Sequence, residues 1–486
     1  SAARGGALEL TLEFLDRRGL VDVARTPLIL YMIAQVLEDR PGAFCERRTF
    51  GRSEVYQLFV DWTVTGGYVG EAQKHRVPQE FRSILQETAW LISSTGRSFA
   101  EEDWLLSELR RRYGSEVDSV PVDRRLFVAH MLQPTGSEVT PHSDERRLVE
   151  FTHPSFREYL VGERVWGTLE RARSQGMLSP ESWAEQCTRG LTAAETEFLI
   201  DMVLRLGRKE AHDLYRVLDG ADNVHLYWTQ WLDPLWDTLG TNPSESSIKD
   251  LRGRVAATAT RACYAATLAF LLRVKAHAVL RRQVSGDTCF DVPSPPDCRS
   301  LHNLLRLQDT LPDKGAAADS RSILLQNLED LYLEPGSRLS CHSLDSLVVQ
   351  NASLRGINFS GSEWHGADVR GSDLREAAFD RCMLWFRFID GASFVCAKFG
   401  DAIVVQERDQ LLRKADFSGV DFEGAQFRNL AREECRFVQN RWSGARVIVS
   451  TRAKGAWVKR CELDEGARAF FLSQGVEVQK CSEASR

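Results

Sequence analysis

A chain of 486 residues is long enough for two to four domains, and 43% apolar with 27% charged side chains describes an ordinary globular protein. A net charge of −6 over that length is mild and argues against a generic attraction to nucleic acid or to anionic membranes. Eleven scattered cysteines, odd in number and without a C-x-x-C, argue against a disulfide framework and point to reduced thiols in the cytoplasm.

Residues 7–40 read as helix. Leu8, Leu12 and Leu15 share one face, and after Pro27 the residues Leu28, Tyr31, Met32 and Val36 repeat the i, i+3, i+4, i+8 spacing of a buried stripe. Pro27 suits a first helical turn, where its missing N–H would be unsatisfied anyway, and Pro41-Gly42 ends the segment. Ser53 is placed to cap a helix that buries Val55, Leu58, Phe59 and Trp62. Phe81, Ile84, Leu85, Thr88, Ala89 and Ile92 repeat the pattern, and Ser98 and Glu101 have capping-box spacing ahead of Trp104, Leu105 and Leu109. Short apolar pieces at Arg125–Leu132 and Leu148–Phe151, separated by the polar Pro134–Arg147, read as a hairpin-like wing. Ser155 and Glu158 repeat the capping-box spacing. That starts a helix at Phe156, turns Phe156, Tyr159 and Leu160 inward, and leaves His153 just outside.

Residues 165–330 continue as helices. Thr192/Glu195 is another capping box, ahead of Phe198, Leu199, Met202, Val203 and Leu206. Trp228, Trp231 and Trp236 cluster near Pro234 and read as core. Ile248–Gln283 is long and amphipathic; its most apolar run, Val255–Val274, is broken by Arg261 and reads as a buried helix rather than a membrane span. Cys289–Pro296 is a loop, and Leu301–Leu311 and Ser322–Leu333 are the last helices.

From Leu344 an apolar side chain recurs at every fifth position: Leu344, Val349, Leu354, Phe359, Trp364, Val369, Leu374, Phe379 and onward to Val404. Two residues before most of them stands something small, such as Ala352, Ser362, Ala367, Ser372 and Ala377. The phase slips across Ile403–Lys414 and resumes from Ala415/Phe417 to Ala445/Val447. A period of five fits neither a helix nor one long strand; it fits a coil that takes a strand step, turns a corner and repeats. Both members of each small/large pair point inward, and sheet-type stacking places successive coils about 4.8 Å apart. Beyond Val447, Ala456/Val458 and Cys461/Leu463 suggest a terminal coil, and Ala467–Ser473 a short capping helix. The stretch resembles the pentapeptide-repeat family, of form A-(D/N)-(L/F)-x-x, most clearly at Gly366-Ala-Asp-Val-Arg-Gly-Ser-Asp-Leu-Arg375. That resemblance implies an all-β right-handed quadrilateral β-helix with four repeats per coil, a binding or scaffold surface without chemistry of its own.

A second resemblance rests on three segments in order. Phe151-Thr-His-Pro-Ser-Phe-Arg-Glu-Tyr-Leu160, closing the wing, resembles the winged-helix region of NACHT-type NTPases of the STAND class. Thr26-Pro27-Leu28-Ile29-Leu30 is similar to that family's N-P-L-x-L segment, and Arg52-Ser-Glu-Val-Tyr-Gln-Leu-Phe59 to its R-x-x-L-Y-x-x-F segment. The likeness covers roughly residues 8–165 and implies a multidomain chain whose first two thirds are mainly α-helical and include a winged helix. The expected division is a small helical domain over 1–50, a winged helix over 51–165, a second helical domain over 166–335, the β-helix over 336–450, and a cap or tail over 451–486. No G-x-x-x-x-G-K-[ST] occurs, and Ser94-Thr-Gly-Arg-Ser98 lacks the lysine and the glycine spacing that let backbone amides wrap a phosphate. The NTPase core and an effector domain are therefore expected upstream of Ser1, and no enzymatic activity is expected of these residues themselves.

By the same resemblance, His153 would reach the β-phosphate of bound ADP and hold a closed state, and Pro27 would pack against the adenine. The plain alternatives are a histidine that satisfies a local carbonyl and an ordinary first-turn proline. ADP or ATP with magnesium is expected only in a protein that includes the core. The implied partners are those upstream domains, a protein trigger, phage-derived in the setting of bacterial antiviral defence, and further copies of the chain on activation. Cys289, Cys298 and His302 lack a convincing fourth zinc ligand, and no local motif supports a Cys/His nucleophilic pair. Acids and arginines are nearly balanced between Leu344 and Val447, whereas a mimic of duplex DNA needs one dense sign of charge. The competing function is a stand-alone scaffold or adaptor without a nucleotide; a hydrolase has no motif behind it.

Overall fold

The computed structural model describes residues 15–16, 20–21, 24, 26–40, 43–44, 50–64, 81–114, 117, 132–138, 146–179, 182–183, 186–187, 189–219, 221, 245–282, 293–294, 296, 298–311, 314–333, 337–340, 342–405, 412–428, 431–448, 457–479 and 481–483. Two units form: residues 1–174 with 191–205, and residues 175–190 with 206–486. The tryptophan cluster at 228–236, Cys289 and the stretch 125–131 lie outside the described residues.

In the first unit, α1 (Pro27–Asp39) starts on its proline as expected and buries Ile29, Met32, Ile33, Val36 and Leu37. Helix α2 (Arg52–Val64) carries the centre of the core: the Tyr56 ring lies 5.6 Å from Phe156, 5.4 Å from Tyr159 and 5.1 Å from Phe198. Helix α3 (Phe81–Ser94), strand β1 (Phe99–Glu101) and α4 (Glu102–Tyr113) follow. Strands β2 (Leu132–Glu138) and β3 (Arg146–Phe151) complete an antiparallel sheet of order β1-β3-β2. A wing is therefore present, but β2 runs through residues the sequence pattern assigned to its connection. Pro134 is accommodated there because β2 is an edge strand and its register shifts between Pro134 and Gly136. Helices α5 (Pro154–Gln175) and α6 (Ala193–Leu204) close the unit.

Helix starts divide sharply. Thr192 and Glu195 form the expected capping box, each side chain reaching the other's amide. The other two expected boxes do not form. Glu101, not Ser98, precedes α4, and its side chain caps nothing. Ser155 lies inside α5, which starts at Pro154 instead of Phe156. Nor does Ser53 cap α2. Glu54 reaches back to the Gly51 amide at 3.0 Å, and Asp201 of α6 accepts from the Ser53 amide at 2.9 Å. Arg205 ties both carboxylates together, and hydrogen bonds from Arg205 and Ser53 hold Asp201 below the usual carboxylate range against the opposing pull of burial.

The second unit begins with α7 (Arg208–Leu218), α8 (Glu245–Arg282), α9 (Cys298–Thr310) and α10 (Lys314–Leu325). Helix α8 is long and apolar enough to cross a membrane, yet the side chains of Cys263 and residues 265–280 are buried. Helices α7, α9 and α10 pack on it. Its buried polar groups are partnered: Thr267 with Ser320 of α10 at 3.0 Å, and Lys275 with Glu329 at 2.5 Å. Arg282 pairs with Asp330, so the end of α8 is tied to the first turn of the solenoid.

From Tyr332 onward the chain winds as a four-sided coil. One column of parallel bridges runs 332–353–373–393–416–436–462–482, and parallel columns run through 338–358–378–398 and 343–363–383–403. A regular coil takes 20 residues, hence four pentads, as the repeat resemblance implies. The fourth column includes Val348↔Asp368 and, later, Leu412↔Arg432. Strands β4 (Glu363–Asp368), β5 (Met383–Phe388), β6 (Ile403–Val405), β8 (Gln426–Arg428) and β11 (Arg446–Ile448) form one face; β7 (Leu412–Arg413), β9 (Ala431–Glu433), β12 (Trp457–Lys459) and β14 (Glu477–Gln479) form another. Strands β10 (Arg436–Phe437), β13 (Glu462–Leu463) and β15 (Ser482–Glu483) continue a third.

Large side chains stack up the interior. Phe359, Phe379, Phe399, Phe422 and Trp442 succeed one another at 5.4, 4.9, 5.4 and 4.7 Å, and Phe394, Phe417 and Phe437 at 4.9 and 5.1 Å. Each buried ring contributes about 1.5–3 kcal/mol. Each favourable ring pair contributes about 0.5–1.5 kcal/mol more. The second residue after most of the large ones turns the corner with positive φ, as at Ser346, Asn351, Gly356, Gly361, Gly366, Gly371, Glu376 and Arg381. That accounts for the recurrent glycine. Helix α11 (Glu465–Ser473) is capped by Asp464 and sets Phe470 against Trp442 at 4.2 Å and Phe471 against Phe437 at 5.3 Å. Parallel pairing resumes after it, Trp457↔Glu477 and Glu462↔Ser482.

Candidate functional site

His153 stands exposed at the start of α5. Proline at the first helical position leaves no amide there, so the first donors of the helix are Ser155 and Phe156. Both are taken by His153: the Ser155 amide donates to Nδ1 at 3.2 Å and the Phe156 amide to the His153 carbonyl at 3.1 Å. Ser155 Oγ also lies 2.6 Å from Nδ1, and the Tyr56 hydroxyl donates to Oγ at 2.5 Å. An amide N–H can only donate, so Nδ1 is an acceptor and the neutral ring carries its proton on Nε2. The histidine caps its own helix through an amide rather than satisfying a local carbonyl.

Ser155 is buried, and Phe156 stacks on Phe59 of α2 at 5.4 Å, which fixes the backbone beneath the imidazole. Burial pushes the Tyr56 hydroxyl above its ordinary range, so it stays protonated and able to donate. Burial likewise raises the Glu158 carboxyl, opposed by Arg157 and Arg52. Pro27 is exposed on α1 and shares a face with Leu30, Tyr31 and Ala34, all exposed; Leu30 and Tyr31 are 36% and 46% accessible. Tyr31 reaches the same aromatic core, 6.4 Å from Phe59. Pro27 therefore sits on a helix packed against α2, and His153 immediately precedes another. Tyr56 and Ser155 were not legible as partners of His153, because Tyr56 is 99 residues from Ser155 and its only signal was membership of the Arg52–Phe59 segment.

On the wing, an open cavity of about 350 Å³ is lined by Arg97, Phe99, Glu101, Trp104 and Leu148 among others. His302 and His342 meet ring to ring, Nδ1 to Nε2 at 3.0 Å, while Cys298 Sγ points to the Arg338 carbonyl at 3.7 Å. Among the described residues no group of three or more His, Cys, Asp or Glu side chains could hold a metal ion.

The outer faces of the solenoid carry matched charge. Arg355 pairs with Glu376 at 2.5 Å, Arg370 with Asp368 at 2.6 Å, Arg375 with Asp373 at 2.6 Å and Arg441 with Glu423 at 3.1 Å. The Arg375 hydrogen bond holds the Asp373 carboxyl below its ordinary range. One corner departs from the pattern. Phe386 is buried with no positive φ, Arg387 occupies a position that is small in most repeats, and Phe388 is exposed with the Arg370 and Arg387 guanidiniums 4.7 and 5.4 Å from its ring centre. The signal was present as an interruption in the run of small residues.

A family model described as pentapeptide repeats, in eight copies, matches residues 350–384. A search of curated proteins found no match. Among solved structures, full-length QnrB1, described as a plasmid-mediated fluoroquinolone resistance protein, is similar over 32% of this chain and 84% of its own at 17% identity, with a TM-score of 0.17. HetL, described as a pentapeptide repeat protein involved in heterocyst differentiation regulation from the cyanobacterium Nostoc sp., is similar over 32% of this chain and 83% of its own at 16% identity, with a TM-score of 0.13. The family match and the twenty-residue, four-sided coil agree: the carboxyl-terminal solenoid of this chain is a pentapeptide-repeat domain.

Proposed function

We propose that this chain is the regulatory and sensing portion of a NACHT-type STAND NTPase. In this reading the start of α5 contacts the phosphate of ADP in the resting state, and the pentapeptide solenoid binds a protein trigger. The observation that carries it is the His153 geometry. The ring is exposed, anchored through Nδ1 by the first amide of α5, and left with Nε2–H as an outward donor suited to a phosphate oxygen. The exposed stripe of Pro27, Leu30, Tyr31 and Ala34 is an apolar surface of the kind an adenine ring or an adjoining domain covers. The trigger acts by binding the open state better than the closed one, which permits assembly into an oligomer. Antiviral defence in bacteria, with a phage protein as trigger, is the setting this family resemblance suggests.

The test is the nucleotide content of the protein expressed from its native reading frame, read by mass spectrometry of the released small molecules. Wild type is expected to carry ADP with magnesium, and His153→Ala to lose it. Wild-type protein free of nucleotide contradicts the proposal. A second reading, a protein-interaction scaffold without nucleotide, is favoured by the charge-matched solenoid faces, whose Arg–carboxylate pairs leave the surface without a single sign of charge. Under that reading partner binding is indifferent to His153→Ala.

A further inference from the structure

We infer that Tyr56 and Ser155 are positioning residues that hold His153 in the Nε2–H tautomer and aim that donor outward. The chain of hydrogen bonds has a single consistent direction. The Ser155 amide donates to Nδ1 at 3.2 Å and so disfavours a proton there, and the shorter bond from the Ser155 hydroxyl adds to that preference as long as Tyr56 donates to it. Ser155 Oγ then gives its one proton to Nδ1 at 2.6 Å and uses a lone pair to accept from Tyr56 at 2.5 Å. Reversing the chain would protonate Nδ1, strand the Ser155 amide, and turn the Tyr56 hydroxyl into an acceptor. The relay is also mechanically fixed. Ser155 and Tyr56 are 4% and 1% exposed, and the Tyr56 ring is held by Phe156, Tyr159 and Phe198, so the hydroxyl has little freedom to turn away.

The consequence concerns which donor meets an anion. The first two amides of α5 are already used by His153, so the start of the helix offers a phosphate the imidazole Nε2–H in their place. A ring free to exchange tautomers would present an acceptor lone pair for part of the time and repel a phosphate oxygen. This inference rests on the phosphate reading of His153, but its first readout does not need nucleotide.

The test is long-range proton–nitrogen NMR of the histidine-labelled chain at neutral pH, with His153→Gln used to assign its signals. Wild type is expected to show the Nε2–H tautomer for His153. Tyr56→Phe keeps the ring packing and removes the donated bond; Ser155→Ala removes the relay; Ser155→Thr restores a hydroxyl. A measurable Nδ1–H population is expected in Tyr56→Phe, where the Ser155 hydroxyl is freed to accept from the ring; Ser155→Ala removes that acceptor and is expected to keep Nε2–H while loosening the ring, with its position recovered in Ser155→Thr. On the full-length protein, ADP affinity is expected to weaken about tenfold in Ser155→Ala. A wild-type Nδ1–H tautomer, or a tautomer unmoved by Tyr56→Phe, overturns the inference. The expected tautomer pattern with no nucleotide on the wild-type protein supports the positioning role and counts against the phosphate reading alone.

Discussion

Phe379→Ala probes the stacked core of the solenoid. The ring is fully buried and lies 5.4 Å from Phe359, 5.5 Å from Trp364, 4.9 Å from Phe399 and 6.1 Å from Phe394. Truncation removes the transfer energy of the ring and leaves a cavity that the adjoining coils cannot collapse into, because the parallel backbone bonds between successive coils fix their spacing. Core Phe→Ala changes cost about 3–5 kcal/mol. The four ring contacts place this one at the upper end, since each favourable aromatic pair is worth about 0.5–1.5 kcal/mol. Stacked coils interact only with their neighbours, so the loss falls on the two interfaces the ring spans and weakens the coupling of the coils on either side. Urea unfolding followed by tryptophan fluorescence is expected to show a midpoint shifted by that amount and a broadened transition. A loss under about 1 kcal/mol with an unchanged slope would refute the account of the stacked core.

Two corner substitutions are expected to move stability in opposite directions. Arg381 holds φ +56°, so Arg381→Gly removes about 1–2 kcal/mol of left-handed strain and returns about 0.5–1 kcal/mol of chain entropy, a net gain measurable by chemical denaturation. Gly371→Ala is expected to lose more than 1 kcal/mol, because φ is +67° and the added Cβ would sit 2.4 Å from Asn351 Oδ1. His277, buried on α8 and pushed down to about 4 by burial and by Arg281, stays neutral in the folded chain while the unfolded chain takes up a proton near 6.5. Stability is therefore full above about pH 6.5 and falls as pH drops toward about 4; His277→Gln is expected to flatten that slope in pH-dependent melting curves.

What could be read from the residues alone was whatever repeats locally. The five-residue period specified the coil, the inward pairs and, through glycine at the corners, the left-handed turn. Interruptions were harder. The step from Ser393 to Asp416 takes 23 residues and showed as a slip in phase, whereas the step from Arg436 to Glu462 takes 26 and left only the weaker pairs Ala456/Val458 and Cys461/Leu463 to mark the terminal coil. Helix starts failed where a serine found a distant partner. Thr192 has only its own helix to cap and does so, but Ser155 bonds to Tyr56 across the core. The same long-range contact builds the candidate site, so His153 was visible as a motif residue while the groups that orient it were not. In the wing, Pro134 and its polar neighbours concealed an edge strand that a register shift makes possible.

The proposed role of His153 is tested most directly by ADP titration of the nucleotide-stripped protein from the native reading frame, wild type against His153→Ala. A hydrogen bond to a charged phosphate is worth about 1.5–3 kcal/mol. The account therefore predicts roughly ten- to 150-fold weaker binding in the variant. Equal affinity in the two proteins would contradict it and leave the solenoid as a scaffold.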